Sequence, residues 1–229
     1  MMSWPSAAVN AVRTEPKLHQ LLEIRKGVTA VIGSGGKTSL IGKLCRELPG
    51  TVIVCTSTHI FPAEGLPLYT ERLDAMPEER ICVGTPTDHG KLTAPCQPFE
   101  ALAELADYVL VEADGSKQLP LKAHLPHEPV IPACADQVIQ VVGLSGMGKP
   151  IEKAAHRPER YAELCSCAIT DVAIPERMAK VLNTEMLADR YVLNQADDEE
   201  EEKWGRTLMA LLKKPAILTA LLPTDRECL

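Results

Sequence analysis

Aromatic side chains are scarce: phenylalanine, tyrosine and tryptophan make up 3% of the 229 residues. Proteins that track single-stranded nucleic acid stack bases on such rings, so the composition argues against that role. Positive charge is also in deficit. Lysine and arginine number 24 against 31 acids, a formal net charge of −7, which argues against a nucleic-acid backbone or an anionic membrane as the main partner. A nucleotide remains compatible, because its charge is met locally. No apolar run approaches the length of a membrane-spanning helix, and Met1-Met2-Ser3-Trp4-Pro5 lacks the basic and apolar regions of a leader. The expectation is a cytoplasmic protein. Eight cysteines form no Cys-x-x-Cys pair, so neither a zinc site nor a disulfide framework is expected. Cys55 and Cys82 sit in apolar runs and read as small buried hydrophobes. The one close pair, Cys165-Ser166-Cys167, is open to a redox reading beside the structural one.

With 45% hydrophobic residues the chain can bury the core of a single α/β domain over 1–229, with a helical extension over 1–26 and an irregular insertion over 60–98. The stretch that organises it begins at Val28. The β-branched, uncharged 28–32 reads as a central parallel strand. Gly33-Ser34-Gly35-Gly36 follows as a glycine-rich turn, and Lys37-Thr38-Ser39 opens a helix with Leu40, Ile41, Leu44 and Leu48 at helical spacing. Strand, turn and helix in that order make a phosphate cradle, because loop amides and the unpaired N–H groups of the first helical turn converge on one anion. Lys37 would neutralise nucleotide phosphates, and the Thr38 hydroxyl would ligate the accompanying magnesium. The loop is two residues shorter than G-x-x-x-x-G-K-[ST] and resembles that of the Mur ligases. A second pattern, Gly143-x-x-x-x-Gly148-Lys149, has the standard spacing, but Pro150 follows and has neither hydroxyl nor N–H.

Further strands are expected at 51–55, 80–84, 107–115, 137–143, 190–197 and 215–219, and helices at 99–106, from Pro158, from Pro175 and over 198–212. The first of these strands ends in Thr56-Ser57-Thr58-His59, hydroxyls that either reach the phosphates or form a polar turn. Glu112 and Asp114 end an apolar strand, where an acid can hold hydrated magnesium opposite Thr38. Their spacing puts both on one side if extension continues that far. The loop after them carries Lys117 and Lys122 as charge stabilisers for transferred phosphate, or as solvated residues. His156 and Arg157 are open to a crevice-facing role or a helix entry. Asn194-Gln195-Ala196-Asp197 resembles the Asn-Lys-x-Asp base-recognition motif of GTPases, with Gln195 in place of the lysine; Asp197 as the cap of the next helix is the alternative.

Together, Gly33 to Thr38, Thr56-Ser57-Thr58, Glu112-Ala-Asp-Gly-Ser-Lys117, Leu119-Pro-Leu-Lys122, Glu128-Pro-Val-Ile-Pro132, His156-Arg-Pro-Glu159 and Leu193-Asn-Gln-Ala-Asp197 resemble the YqeC-type selenium-dependent hydroxylase accessory proteins. The resemblance implies a nucleotide-dependent step in maturing selenium-dependent molybdenum hydroxylases, with the hydroxylase or its cofactor as partner. The expected fold is a three-layer P-loop NTPase-like domain with a mostly parallel sheet. The expected activity is magnesium-dependent hydrolysis or transfer from ATP or GTP, with Lys37, Glu112, Asp114 and Lys117 at the chemistry. Gly33, Ser34, Gly35, Gly36, Lys37, Thr38, Ser39, Asn194 and Asp197 would hold the nucleotide, and Thr38, Glu112 and Asp114 the metal. Two alternatives stay open: a nucleotide-gated chaperone that barely hydrolyses, and a ligase-like enzyme that activates a carboxylate.

Overall fold

A computed structural model describes residues 16–228. In chain order it contains α1 (Leu18–Leu21), β1 (Gly27–Gly33), α2 (Lys37–Glu47), β2 (Val52–Thr56), β3 (Leu68–Tyr69), β4 (Arg80–Val83), β5 (Thr85–Pro86), β6 (Leu92–Thr93), α3 (Phe99–Leu105), β7 (Tyr108–Glu112), β8 (Leu121–Lys122), β9 (Gln137–Gly143), α4 (Ile151–Ala154), β10 (Ala155–His156), α5 (Pro158–Cys165), α6 (Pro175–Glu185), β11 (Arg190–Asn194), α7 (Glu199–Leu211) and β12 (Ala216–Leu218). Among these residues no helix is long and apolar enough to cross a membrane.

Eight strands form one sheet in the order β12-β11-β9-β1-β7-β2-β4-β3, and all seven pairings are parallel. The sheet expected to be mostly parallel is therefore wholly so. β1 lies at its centre, Ala30 paired with Val111 on one side and Val138 on the other. A strand covered on both faces needs apolar residues in both phases of its alternation, which is why Val28-Thr29-Ala30-Val31-Ile32 is nearly continuous and fully buried.

The alternation sorts side chains into two cores. Val31, Val52, Val54, Leu110, Val141 and Val192 pack with Leu40, Ile41 and Leu44 of α2. On the opposite face Ile53, Cys55, Val109 and Val111 meet Leu102 of α3, while Val142, Tyr191 and Leu193 meet Tyr161, Met178, Leu182 and Leu208 from α5, α6 and α7. Helices on both faces of a parallel sheet make the three layers. Cys55 and Cys82 are buried as expected.

Four expectations change. Of the extension over 1–26, the described part forms one helical turn, α1, whose Leu18 packs with Leu22 and Leu44; Met1 to Pro5 and the rest of 1–15 lie outside the described residues. Within the insertion over 60–98 the strand expected at 80–84 forms as β4, while β3 beside it and the antiparallel ribbon of β5 and β6 are additions to that expectation. The loop after Glu112 contains β8, which pairs in parallel with β10. Finally, Asp198, not Asp197, caps α7, its carboxylate accepting the Glu201 N–H at 2.8 Å.

Leu44 is fully buried whereas Leu211 is 42% exposed. Leu44→Ala is expected to lower stability by about 2–5 kcal/mol and Leu211→Ala by about 0.5 kcal/mol or less, read as shifts of the urea midpoint at constant slope.

Candidate functional site

The carboxyl ends of β1, β2, β7 and β11 open onto one cleft of about 800 Å3, as expected for a parallel sheet whose connections run to both sides of a central strand. Gly35, Gly36, Lys37, Thr38 and Ser39 form part of its lining, together with Glu112 and Lys117. Gly33 and Ser34 lie behind them. The Ser34 N–H bonds the Val141 carbonyl at 2.9 Å, and its hydroxyl donates to the Leu119 carbonyl.

The turn requires its glycines. Gly35 and Gly36 have φ of 84° and 126°, a region L-residues with side chains rarely enter. A Cβ on Gly35 would lie 2.4 Å from the Gly143 Cα, and one on Gly36 2.3 Å from Asn194 Nδ2. Those contacts also explain the second glycine pattern. Gly143 lets β9 close against the loop, and a Cβ on Gly148 would lie 2.9 Å from the Trp204 ring, so both serve packing.

Lys37 is 5% exposed and folds back over the loop. Its Nζ donates to the Gly33 carbonyl at 2.8 Å and lies 3.1 Å from Asp114 Oδ1 and 3.7 Å from Glu112 Oε1. Thr38 Oγ1 donates to Glu112 Oε2 at 3.3 Å. The two acids differ in setting. Glu112 lines the cleft; burial pushes its carboxyl up, Lys37 opposes that, and the Asp114 charge adds to it.

Asp114 is 2% exposed and belongs to the interior. Its Oδ2 accepts the Gly33 N–H at 2.9 Å and lies 3.0 Å from His124 Nε2 and 3.1 Å from Lys122 Nζ. The network continues outward. Lys122 pairs with Glu128 at 2.7 Å, Glu128 accepts from Arg157 Nε at 2.9 Å, and His124 Nδ1 meets Glu185 Oε2 at 2.8 Å. Burial alone would raise the Asp114 carboxyl, but His124, Lys37 and Lys122 hold it well below the usual carboxylate range. Burial lowers His124, yet Asp114 and Glu185 outweigh it and raise its pKa above the ordinary 6.5. Glu128 is lowered, Lys122 and Arg157 overcoming its burial.

Other expected residues take different places. Lys117 is exposed on the cleft wall and, with Gln118, has left-handed backbone. Lys122 is buried in the ion network. The Thr56 hydroxyl donates to the Glu112 carbonyl at 2.7 Å and that of Ser57 to the Val130 carbonyl, so both are engaged locally. Asn194 braces the loop, Nδ2 donating to the Gly35 carbonyl at 2.8 Å. Asp197 is exposed and is not part of the cleft lining; its N–H bonds Glu201. His156 is buried in β10, and Arg157 reaches Glu128. The Cys165 and Cys167 sulfurs are 3.1 Å apart as free thiols. Glu185 was missed by sequence reasoning, for its partner His124 is 61 positions away and no local pattern joins them.

Two outcomes follow from the network. Lys122→Met leaves Asp114 and Glu128 without their shared cation, and stability is expected to drop by about 3–5 kcal/mol. The lowered Asp114 and Glu128 contribute stability above their ordinary values and lose it as pH falls through the depressed ones. The raised His124 contributes fully below 6.5 and loses its share as pH rises through its raised value. Urea midpoints should therefore be highest at about pH 5–6, and His124→Gln should flatten the alkaline decline; an unchanged alkaline limb would count against a charged His124.

The YqeC protein family matches residues 29–159, more than half of the chain, and that span contains the loop, both acids and most of the ion network. The YqeC protein of Escherichia coli strain K12 is 31% identical over 166 residues, which cover 61% of this chain and 61% of that relative. Asn194 and Glu185 lie beyond that span while the loop and both acids lie within it, and the chain belongs to the YqeC family.

Proposed function

We propose that this protein binds a nucleoside triphosphate with magnesium in the cleft and hydrolyses or transfers its terminal phosphoryl group. One observation carries the reading: Lys37, Thr38 and Glu112 converge at the carboxyl end of β1, with Thr38 Oγ1 and Glu112 Oε2 3.3 Å apart. Loop amides and Lys37 would hold the phosphates. Thr38 and Glu112 supply hard oxygen donors of the kind magnesium takes. Such a cation would take its other ligands from phosphate and water. Magnesium held there would supply positive charge to offset that of the phosphate oxygens.

Within this reading Glu112 is the metal acid, because Asp114 is enclosed by the Gly33 N–H, Lys37, Lys122 and His124. Asp114 instead sets the position of Lys37. Lys117, also in the cleft lining, stabilises charge on the transferred group. The sequence resemblance to selenium-dependent hydroxylase accessory proteins leads us to propose an accessory role in maturing molybdenum hydroxylases, with the hydroxylase or its cofactor as the partner served.

Purified protein incubated with magnesium and ATP or GTP, with and without an apo-hydroxylase, tests the activity. Phosphate release should fall by about 100-fold or more in Lys37→Ala, and Glu112→Gln should raise the magnesium concentration needed for half-maximal rate. Tight binding without turnover would move the reading to a nucleotide-gated chaperone. Release only with an added carboxylate acceptor would move it to a ligase. Absence of nucleotide binding would sink all three.

A further inference from the structure

The cleft has a second, apolar wall that the phosphate chemistry does not use. It is built by Ile60, Phe61, Pro62 and Ala63, with Lys91 beside them. An exposed phenylalanine alone needs no explanation. This one is 65% exposed, is one of two phenylalanines in a chain poor in aromatics, and stands in the cleft that contains the loop. The structure also holds it in place. Ile60 pairs with Leu92 through reciprocal backbone bonds of 3.0 and 2.7 Å, and the Lys91 carbonyl accepts the Thr87 N–H at 2.8 Å and its hydroxyl at 3.0 Å. Those bonds fix two neighbouring segments and bring Lys91 Nζ to 5.2 Å from the Phe61 ring centroid, within cation–π range.

The opposite end of the cleft is poorly suited to a base. The Asn194 side-chain carbonyl accepts from Thr219 Oγ1 at 3.0 Å and from the Leu221 N–H at 2.9 Å. That of Gln195 accepts from Ser145 Oγ at 2.7 Å, and Asp197 lies away from the lining.

We infer that Phe61 and Lys91 form the nucleobase subsite of this cleft, an inference that rests on the phosphate-binding reading above. The base stacks on the ring face that Lys91 leaves open, and the phosphates run from there to Lys37 and Thr38. Recognition by stacking uses the π-face that every base has, so the subsite reads aromatic area and favours purines over pyrimidines without reading their edges.

Two probes separate this inference from the reading beneath it: inorganic tripolyphosphate, which has no base, and 2-aminopurine riboside triphosphate, whose base fluorescence is quenched by stacking, both with magnesium. In Phe61→Ala the affinity for the 2-aminopurine nucleotide should fall about tenfold and quenching should be lost, while tripolyphosphate binds as before. Phe61→Trp should retain both. Because the ring is exposed, thermal midpoints of the variants should match the wild type, which excludes misfolding as the cause. Equal nucleotide affinity in Phe61→Ala and the wild type overturns the subsite and leaves the phosphate site standing. Failure of both probes to bind the wild type overturns the phosphate reading and the subsite with it.

Discussion

The charge on Asp114 is the constraint on which the site depends. An isolated carboxylate in the interior costs several kcal/mol after relaxation, so it survives there only with its surroundings complete. One oxygen accepts the Gly33 N–H, and the other lies against Lys37. The same group therefore shapes the turn and aims its lysine. Compensation extends beyond it: Glu112, Asp114, Glu128 and Glu185 are matched by Lys37, Lys122, His124 and Arg157 in one contiguous array. Blocks that look separate in the sequence, around Glu112, Lys122, Glu128 and Arg157, are neighbours because each supplies one member of that array.

Much of this was legible in the sequence, for physical reasons that also mark where legibility ended. Buried parallel strands must be apolar in both phases, so β1, β2, β7, β9 and β11 announced themselves, and the glycine turn before Lys37 identified the loop. Two-residue strands such as β3, β8 and β10 have no period to detect; the pairing partner alone creates them. The Glu112 and Asp114 spacing argued for a common side, and both carboxylates do face Lys37 Nζ, although the strand itself ends at Glu112. Beyond it, the chain carries Asp114 beneath the loop while Glu112 stays on the cleft. At the other end of the cleft, the Asn-x-x-Asp spacing is present, yet Gln195 adopts φ of 64°, and Asp197 finishes outside.

Because Glu112 and Asp114 already neutralise Lys37, a bare anion entering the cleft gains less from that lysine than its charge suggests. On the proposed reading this favours an anion that arrives with its own cation, since the cation engages Glu112 and frees the ammonium for phosphate. On that reading the acidic site would select for a metal complex over free phosphate, a distinction that the overall charge of −7 would reinforce at longer range.

The order of strands in the sheet has a consequence for how copies of the chain meet one another. Its two outermost members are the shortest, β3 with two residues and β12 with three, and Pro67 and Pro215 stand directly before them. An unpaired strand border is a template on which another chain can add, and proline removes a donor from such a border. Eight parallel strands with long, bare borders would invite open-ended stacking at the concentrations of a crowded cell. Here the borders of the described sheet taper to a few backbone groups, which leaves little template for a further strand.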